Sequence, residues 1–171
     1  MDELRFPIGA YKSEKNPSEA IFSNWLKTIA SFPSNLQIAI NELSVEQLQK
    51  TYRPEGWTIK QLVHHMADSH MNAYIRFKLT LTEEKPIIKP YDEASWATLV
   101  DYKGSIGASL KIIEGVHARW IELLNSITEK EYKRTYIHPE FNNEFDLIEA
   151  TCQYDWHCRH HLAHIELAKK N

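Results

Sequence analysis

The stretch Trp-His-Cys-Arg-His-His-Leu-Ala-His, residues 156–164, is the part of the sequence that says most about the fold. It contains two histidine pairs, His157 with His161 and His160 with His164, each spaced by one helical turn. Both rings of an i, i+4 pair project from the same face of a helix, at a separation that one transition-metal ion can bridge. The stretch predicts a helix that carries either half of a metal site or a solvated polar face.

The apolar positions of this helix decide which pair points inward. They form one stripe, made of Leu147, Thr151, Tyr154, Cys158, Leu162 and Ile165. His161 falls inside the stripe, His157 lies at its edge and His160 lies clearly outside it. Burying an unpaired ring nitrogen costs a few kcal/mol, so an inward histidine needs a polar partner. We therefore place His157 and His161 inward, and the helix alone leaves open whether they bind a metal or a hydrogen-bonding core group.

A third ligand must come from elsewhere, because two helical histidines do not complete a metal site. Residues 57–70 supply candidates on a helix whose start is marked by a capping box, with Thr58 as N-cap and Gln61 three residues later. His65 borders the inward stripe of this helix, whereas His64 points nearly the opposite way. We expect His65 to be the ligand and His64 to be a surface residue.

Three further residues are candidates for contacting a substrate. Asn72 and Arg76 follow His65 at i+7 and i+11, on the same edge of the helix, where they line either a cavity above the metal or a solvated surface. His117 falls within the apolar stripe of the third long helix. The position favours a core or cavity-wall histidine over a fourth ligand.

The sequence then carries a set of motifs that are specific in combination. Trp57-Thr58 and His65-Met66-Ala67-Asp68 precede His157-x-x-His160-His161 by about ninety residues. Other motifs are Tyr52-Arg53-Pro54, Asp68-Ser69-His70-Met71-Asn72, Pro90-Tyr91-Asp92-Glu93 and His138-Pro139. The chain resembles the DinB superfamily of four-helix bundles that bind a metal through three histidines, and within it the YfiT-like branch.

This resemblance covers nearly the whole chain and implies a fold and a site. The fold is an all-α four-helix bundle with a long connection between helices two and three, in one domain spanning residues 1–171. The implied ligands are His65, His157 and His161, and the implied assembly is a homodimer. Many superfamily members follow the paired histidines with Arg-Gly-Gln, where this chain has Leu162-Ala163-His164. No substrate role is therefore carried over from the wider superfamily.

Composition agrees with such a bundle. The chain has 171 residues, of which 43% are hydrophobic and 25% charged, and only 5 glycines, which fits one continuous helical core and leaves little room for a sheet. A net charge of -3 with interspersed signs argues against nucleic acid as a partner. The sequence lacks a leader pattern and any stretch approaching the roughly 20 apolar residues of a membrane span, so we expect no membrane partner and a cytoplasmic location.

Helical periodicity and capping signals place the elements. The first long helix is predicted over residues 17–43, with Pro33 expected to kink or interrupt it, the second over 58–81 and the third over 105–127. A short helical piece is expected around residues 94–100, within the long connection. Capping boxes predict a short helix after Thr128 and the fourth long helix after Asp146.

Three neutral imidazoles leave a divalent ion its full charge and at least one open position, as in catalytic sites. Zinc is the first choice of metal, with nickel, manganese or iron as alternatives. Such an ion lowers the pKa of a water or a thiol that it binds. The site residues do not choose between these nucleophiles, and no side-chain acid or base is assigned.

The resemblance bears on this choice. YfiT-like proteins have long been regarded as metal-dependent hydrolases, while members of the branch are thiol S-transferases that use low-molecular-weight thiols such as bacillithiol. We expect a transferase that joins such a thiol to small electrophiles in detoxification. The first alternative is a hydrolase using metal-bound hydroxide, and the second is a non-catalytic metal-binding stress-response bundle.

Overall fold

A computed structural model describes residues 2–171. Within this range four long helices are joined by short helices, a hairpin and loops. In chain order the elements are α1 (Asp2–Arg5), α2 (Glu19–Ile40), α3 (Ile59–Thr82), α4 (Glu93–Trp96), α5 (Gly107–Ser126), α6 (Glu129–Tyr132), β1 (Thr135–His138), β2 (Asn143–Asp146) and α7 (Leu147–Lys170). The predicted all-α four-helix bundle is confirmed, and residues 83–106 form the long connection between its second and third long helices.

The capping signals fix the starts of two long helices as predicted. Before α3, the Thr58 hydroxyl accepts from the amide of Gln61 at 3.1 Å, and the Gln61 side chain accepts from the amide of Thr58 at 3.0 Å. Asp146 and Glu149 form the same reciprocal pair before α7, at 2.7 and 3.3 Å. These bonds satisfy amide groups that a helix start otherwise leaves without partners.

The bundle is a ring in which α2 and α3 each pack against both α5 and α7. Two apolar clusters fill it, one containing Met66 and Ile113 and the other containing Phe77 and Trp120. The buried histidines lie between these clusters along the chain: His70 follows Met66 on α3, and His117 follows Ile113 on α5. The core therefore has a polar layer of imidazoles across its middle.

Of the two outcomes expected for Pro33, a kink or an interruption, the interruption is wrong, because α2 runs without a break from Glu19 to Ile40. The residues around the proline, Ile29, Phe32 and Leu36, are all 0% exposed. Their packing in the core holds the helix together across the missing amide hydrogen, since tertiary burial outweighs local propensity.

A small hairpin is the part of the fold that composition did not predict. Strand β1 pairs antiparallel with β2. The long connection also pairs with β1, because the Ile88 amide donates to the carbonyl of Ile137 at 3.0 Å and the Ile137 amide donates to the carbonyl of Pro86 at 2.9 Å. His138, part of the His138-Pro139 motif, is the last residue of β1. The hairpin thus fixes one end of the connection that passes over the histidine layer.

The N-terminal segment lies along α7. The Trp156 indole donates to the carbonyl of Gly9 at 3.0 Å, and the Ser13 hydroxyl donates to the Glu149 carboxylate at 2.7 Å. The segment covers a face of α7 that would otherwise be exposed. None of the helices in residues 2–171 combines the length and the apolar character that crossing a membrane requires.

Candidate metal centre

The structure brings the three histidines singled out in the sequence into one place. His65 comes from α3, whereas His157 and His161 come from neighbouring turns of α7. The Nε2 atoms of His65 and His157 lie 3.2 Å apart, and the His161 ring centroid lies 4.9 Å from that of His65 and 4.4 Å from that of His157. One nitrogen from each ring lies within 4.8 Å of the other two. Zinc bonds nitrogen at about 2.0–2.1 Å, so nitrogens that bind the same ion must lie within a few ångströms of one another. The three histidines meet this condition and could hold an ion.

Burial keeps all three rings neutral. It lowers the pKa of His65 to about 4 and holds the pKa of His157 and of His161 well below the usual value. A metal-binding imidazole must be neutral, because the metal takes the lone pair that a proton would occupy. A neutral set of nitrogen donors fits a divalent transition metal and leaves its charge undiminished.

The site has a buried side and a side nearer the solvent. His65 and His161 are only 3% and 8% exposed, whereas His157 is half-buried. The Trp57 ring packs 4.7 Å from the ring of His65, and α4 brings Glu93 Oε2 to 3.7 Å from His65 Nδ1. That Nδ1 is buried and has no hydrogen-bond partner among the residues described. The carboxylate of Glu93 is therefore the group placed to accept from the outer nitrogen of this histidine.

Two further histidines extend the cluster into the core. His157 Nδ1 lies 3.0 Å from His70 Nε2, and His70 Nδ1 lies 2.7 Å from His117 Nε2. His117 Nδ1 in turn lies 2.7 Å from the carbonyl oxygen of Ile29. Because both nitrogens of His117 are engaged and its side chain is 2% exposed, the structure places it in the core, with neither nitrogen free for the substrate contact we had expected.

His161 has a similar but shorter chain of contacts. Its Nδ1 lies 3.3 Å from His164 Nδ1, and His164 Nε2 lies 3.1 Å from the carbonyl oxygen of Arg5 at the end of α1. The Tyr52 ring stacks on His164 with 3.8 Å between centroids. His160, His161 and His164 also form a second group whose nitrogens are close enough for a metal.

Two histidines assigned to the outside by helical position are in fact buried. His64 is 6% exposed, because α5 packs on that face of α3 and Ser109 Oγ lies 2.8 Å from His64 Nδ1. His160 is also 6% exposed, because the N-terminal segment covers it: Phe6 stacks on one side and Trp156 on the other, at 6.1 and 4.1 Å. Neither ring belongs to the trio, so the choice of His65 over its neighbour stands as a prediction.

Asn72 and Arg76 lie further along α3, both half-buried. The Asn72 amide donates to the carbonyl of Asp68 at 2.9 Å within the helix. Arg76 is close enough to His138 that its charge, after burial, is the second cause that lowers the pKa of that histidine. The guanidinium thus faces the region between α3 and the hairpin, about three turns from His65.

The structure adds two polar groups beside the trio, Ser69 and Tyr154, of which we had placed Tyr154 only in the apolar stripe of α7. Tyr154 donates from its hydroxyl to the carbonyl of Ser69 at 3.2 Å, and its ring lies 5.5 Å from that of His157. Ser69 stands one turn after His65, and Tyr154 stands one turn before His157. Helical spacing from the ligands was the signal that would have found them.

Comparison with known proteins places this site in a family. The DinB superfamily model matches residues 29–165, a range that contains all three histidines. A protein of Bacillus pumilus (strain SAFR-032) is 45% identical over 172 residues, covering 100% of this chain and 98% of its own. A protein of Bacillus cereus (strain 03BB102) is 45% identical over 170 residues, covering 99% and 98%. Both carry the name "Putative metal-dependent hydrolase".

A solved structure agrees with the sequence relatives. YfiT from Bacillus subtilis matches with a TM-score of 0.93 at 42% identity, over 98% of this chain and 97% of YfiT. That protein is described as "a probable metal-dependent hydrolase with an unusual four-helix bundle topology". Family match, identity over nearly the full length and the shared helix arrangement all lead to one assignment. The chain is a member of the DinB superfamily with the fold of YfiT.

Proposed function

We propose that the chain is an enzyme dependent on a divalent metal that His65, His157 and His161 bind. The observation that carries this proposal is the approach of three neutral imidazoles from two helices, with His65 Nε2 and His157 Nε2 3.2 Å apart. The names of the relatives support metal dependence. Zinc is the first choice, and nickel, manganese and iron are alternatives, because histidine sites accept these metals according to availability.

We propose thiol S-transfer as the reaction, with a low-molecular-weight thiol such as bacillithiol and a small electrophile as substrates. The metal, when bound, supplies Lewis-acid activation that lowers the pKa of a thiol or a water. The thiol sulfur forms a bond to the electrophilic carbon, the leaving group departs with its bonding pair, and the thiol proton passes to solvent. The all-neutral donor set is compatible with a bound thiolate, because it adds no negative charge that would repel it, and the family resemblance is what favours the thiol over water.

The residues around the trio would bind and orient the thiol. The guanidinium of Arg76 matches the geometry of a carboxylate, which low-molecular-weight thiols commonly carry. Asn72 stands one turn closer to His65 on the same edge of α3 and has an amide oxygen left to accept a hydrogen bond. The half-buried position of His157 supports access of a small molecule from the solvent.

Hydrolysis is the second candidate, and the names of the relatives favour it. A hydrolase uses water as the nucleophile and needs no thiol. Its rate at a zinc centre would rise with pH near neutrality, and a thiol competing for the same position would inhibit it. A non-catalytic metal-binding protein is the remaining possibility and would show neither activity.

The deciding experiment compares the two nucleophiles on the same metal-loaded protein. We expect zinc-loaded protein to accelerate conjugation of bacillithiol to a haloarene or a bimane, and a chelator to abolish the acceleration. The matched control is His64→Asn, which changes a neighbouring histidine outside the trio, against His65→Asn within it. Ester or amide cleavage that needs no thiol and is inhibited by added thiol would favour the hydrolase instead.

The proposal also includes the assembly and location implied by the family resemblance. We infer a small-molecule substrate, a homodimer and a cytoplasmic location. Light scattering coupled to gel filtration tests the homodimer, which predicts about twice the chain mass of 20.0 kDa. A mass equal to that of the single chain would contradict it.

A further inference from the structure

Because of Pro33, one backbone carbonyl of α2 lacks its usual hydrogen-bond donor within the helix. In an α-helix the carbonyl of residue i accepts from the amide of residue i+4. The residue four positions after Ile29 is Pro33, which has no amide hydrogen. The Ile29 carbonyl therefore lacks its usual helical partner, and it is directed instead at His117 Nδ1, 2.7 Å away.

The Ile29 carbonyl determines which ring nitrogen of His117 carries the proton. A carbonyl oxygen only accepts, so the hydrogen of this contact belongs to His117 Nδ1. Burial lowers the pKa of His117 to about 4, so the ring is neutral and its other nitrogen, Nε2, carries a lone pair. That lone pair faces His70 Nδ1 at 2.7 Å, and His70 must donate.

The same reasoning extends the assignment of donor and acceptor nitrogens to the metal centre. His70 is 0% exposed, so a charged ring there would be costly, and once its Nδ1 donates, its Nε2 accepts from His157 Nδ1 at 3.0 Å. His157 then holds its proton on Nδ1 and leaves the Nε2 lone pair free. Nε2 is the atom that faces His65 at 3.2 Å.

The second α7 histidine has a matching arrangement. The Arg5 carbonyl accepts from His164 Nε2, which leaves His164 Nδ1 to accept from His161 Nδ1. His161 therefore also presents Nε2. Both α7 rings thus keep their lone pair on the same nitrogen, Nε2, and each is connected through one or two further histidines to a backbone carbonyl.

We propose that Pro33, His117 and His70 are positioning residues for the metal centre. The proline leaves the Ile29 carbonyl free to accept from His117. His117 and His70 then fix the order of donors and acceptors, so that His157 carries its proton on Nδ1 and presents the Nε2 lone pair. This inference rests on the proposed metal site. A partner that orients a ligating histidine from outside is a general feature of metal sites, and its loss weakens metal binding about 10- to 100-fold. Here the orientation begins at a residue on a helix that contributes no ligand.

The proton positions also bear on the second histidine group, His160, His161 and His164. A metal held by His160, His161 and His164 through His161 Nδ1 would need that nitrogen to give up the proton it donates to His164. The Arg5 carbonyl already fixes the protons of His164 and His161 in the opposite sense. We therefore expect one metal per chain, and a second equivalent of tightly bound zinc would contradict this assignment.

The test begins with the tautomers of the metal-free protein. Long-range proton–nitrogen correlation spectra of ¹⁵N-histidine-labelled chain should show His117, His70 and His157 protonated on Nδ1. This readout does not depend on activity or on any metal. His157 protonated on Nε2 in the wild type would overturn the proposal.

Two substitutions then test the consequence for metal binding. Pro33→Ala restores the amide that competes for the Ile29 carbonyl, and we expect a zinc Kd about tenfold weaker without loss of resistance to urea. His70→Leu should weaken zinc at least as much, while His70→Gln, whose amide oxygen still accepts from His157, should recover most of the affinity. A merely structural role would instead lower stability and metal affinity together.

The outcomes separate this inference from the proposed function. If the wild type binds no zinc, the proposed metal site fails, while the tautomer spectra still report on the histidine chain. If the wild type binds zinc and Pro33→Ala binds it equally with unchanged tautomers, the role of the proline is wrong and the site remains. Equal affinities of the leucine and glutamine variants of His70 would likewise contradict the relay.

Discussion

His65 Nε2 and His157 Nε2 face each other at 3.2 Å although the residues are 92 positions apart in sequence. Two helices of a bundle bring them together, and neither nitrogen is protonated to a cation, because burial keeps the pKa of both rings low. With His65 donating from Nδ1 toward Glu93 and His157 protonated on Nδ1, both facing Nε2 atoms carry a lone pair and share no hydrogen. This geometry supports the proposal that an ion is bound by both nitrogens.

Metal removal should lower the stability of the protein without unfolding its helices. A ligand that binds only the folded state stabilises it by about 2.7 kcal/mol when present at 100 times its Kd. Urea unfolding with excess zinc and with a chelator measures the difference, and circular dichroism follows the helices. The apolar clusters on either side of the histidine layer do not depend on the ion. Collapse to a coil on chelation would show that the metal is structural.

Acid should destabilise the metal-free protein well above the pH at which carboxylates titrate. Burial lowers the pKa of His65 and of His117 to about 4, against about 6.5 in the unfolded chain. A lowered folded-state pKa means that the unfolded chain binds more protons below pH 6.5, so this stability is complete above that pH and is lost as the pH falls toward 4. Each histidine contributes about 1.4 kcal/mol per pH unit in that window.

Urea unfolding of chelator-treated protein between pH 7 and pH 5 measures this loss. His117→Gln, which removes one buried imidazole, should show a shallower dependence on pH than the wild type. A stability that does not change between the two pH values would contradict the account of the buried, neutral histidine layer.

Arg76 should matter for charged thiols and not for uncharged ones. Replacing it in Arg76→Gln removes a guanidinium that suits a carboxylate, so KM for a carboxylate-bearing thiol should rise about tenfold, as expected for the loss of one charge-assisted contact. The zinc stoichiometry should stay the same, because Arg76 lies about three turns from His65. Steady-state kinetics with a carboxylated thiol and an uncharged analogue measure the effect. An equal change for both thiols would remove Arg76 from the thiol site.

Much of this arrangement could be predicted from local patterns. The capping boxes at Thr58 and Asp146 fixed the helix starts, because they depend only on residues three apart. The apolar stripe on α7 placed His157 and His161 inward, and it too depends only on spacing within one helix. Helical position placed His65 at the inward border, where it meets His157, but it wrongly placed His64 at the surface.

Long-range packing explains what local patterns missed. His160 looked exposed on an isolated helix, and only the N-terminal segment, more than 150 residues earlier in the chain, buries it. Pro33 looked like a helix breaker, and only the burial of its neighbours and the contact between His117 and Ile29 show how the helix accommodates it. Such effects come from contacts between elements, which periodicity within one element does not contain.

The central claim is that His65, His157 and His161 bind the metal. The most direct test is metal analysis and zinc titration of protein prepared without a nickel column, for the wild type, the Asn variant of each ligand and the matched controls His64→Asn and His160→Asn. We predict one tightly bound ion per chain in the wild type and in both controls, and loss of stoichiometric binding in each ligand variant. Full occupancy in the ligand variants, or loss of the ion only when His160 is replaced, would contradict the account.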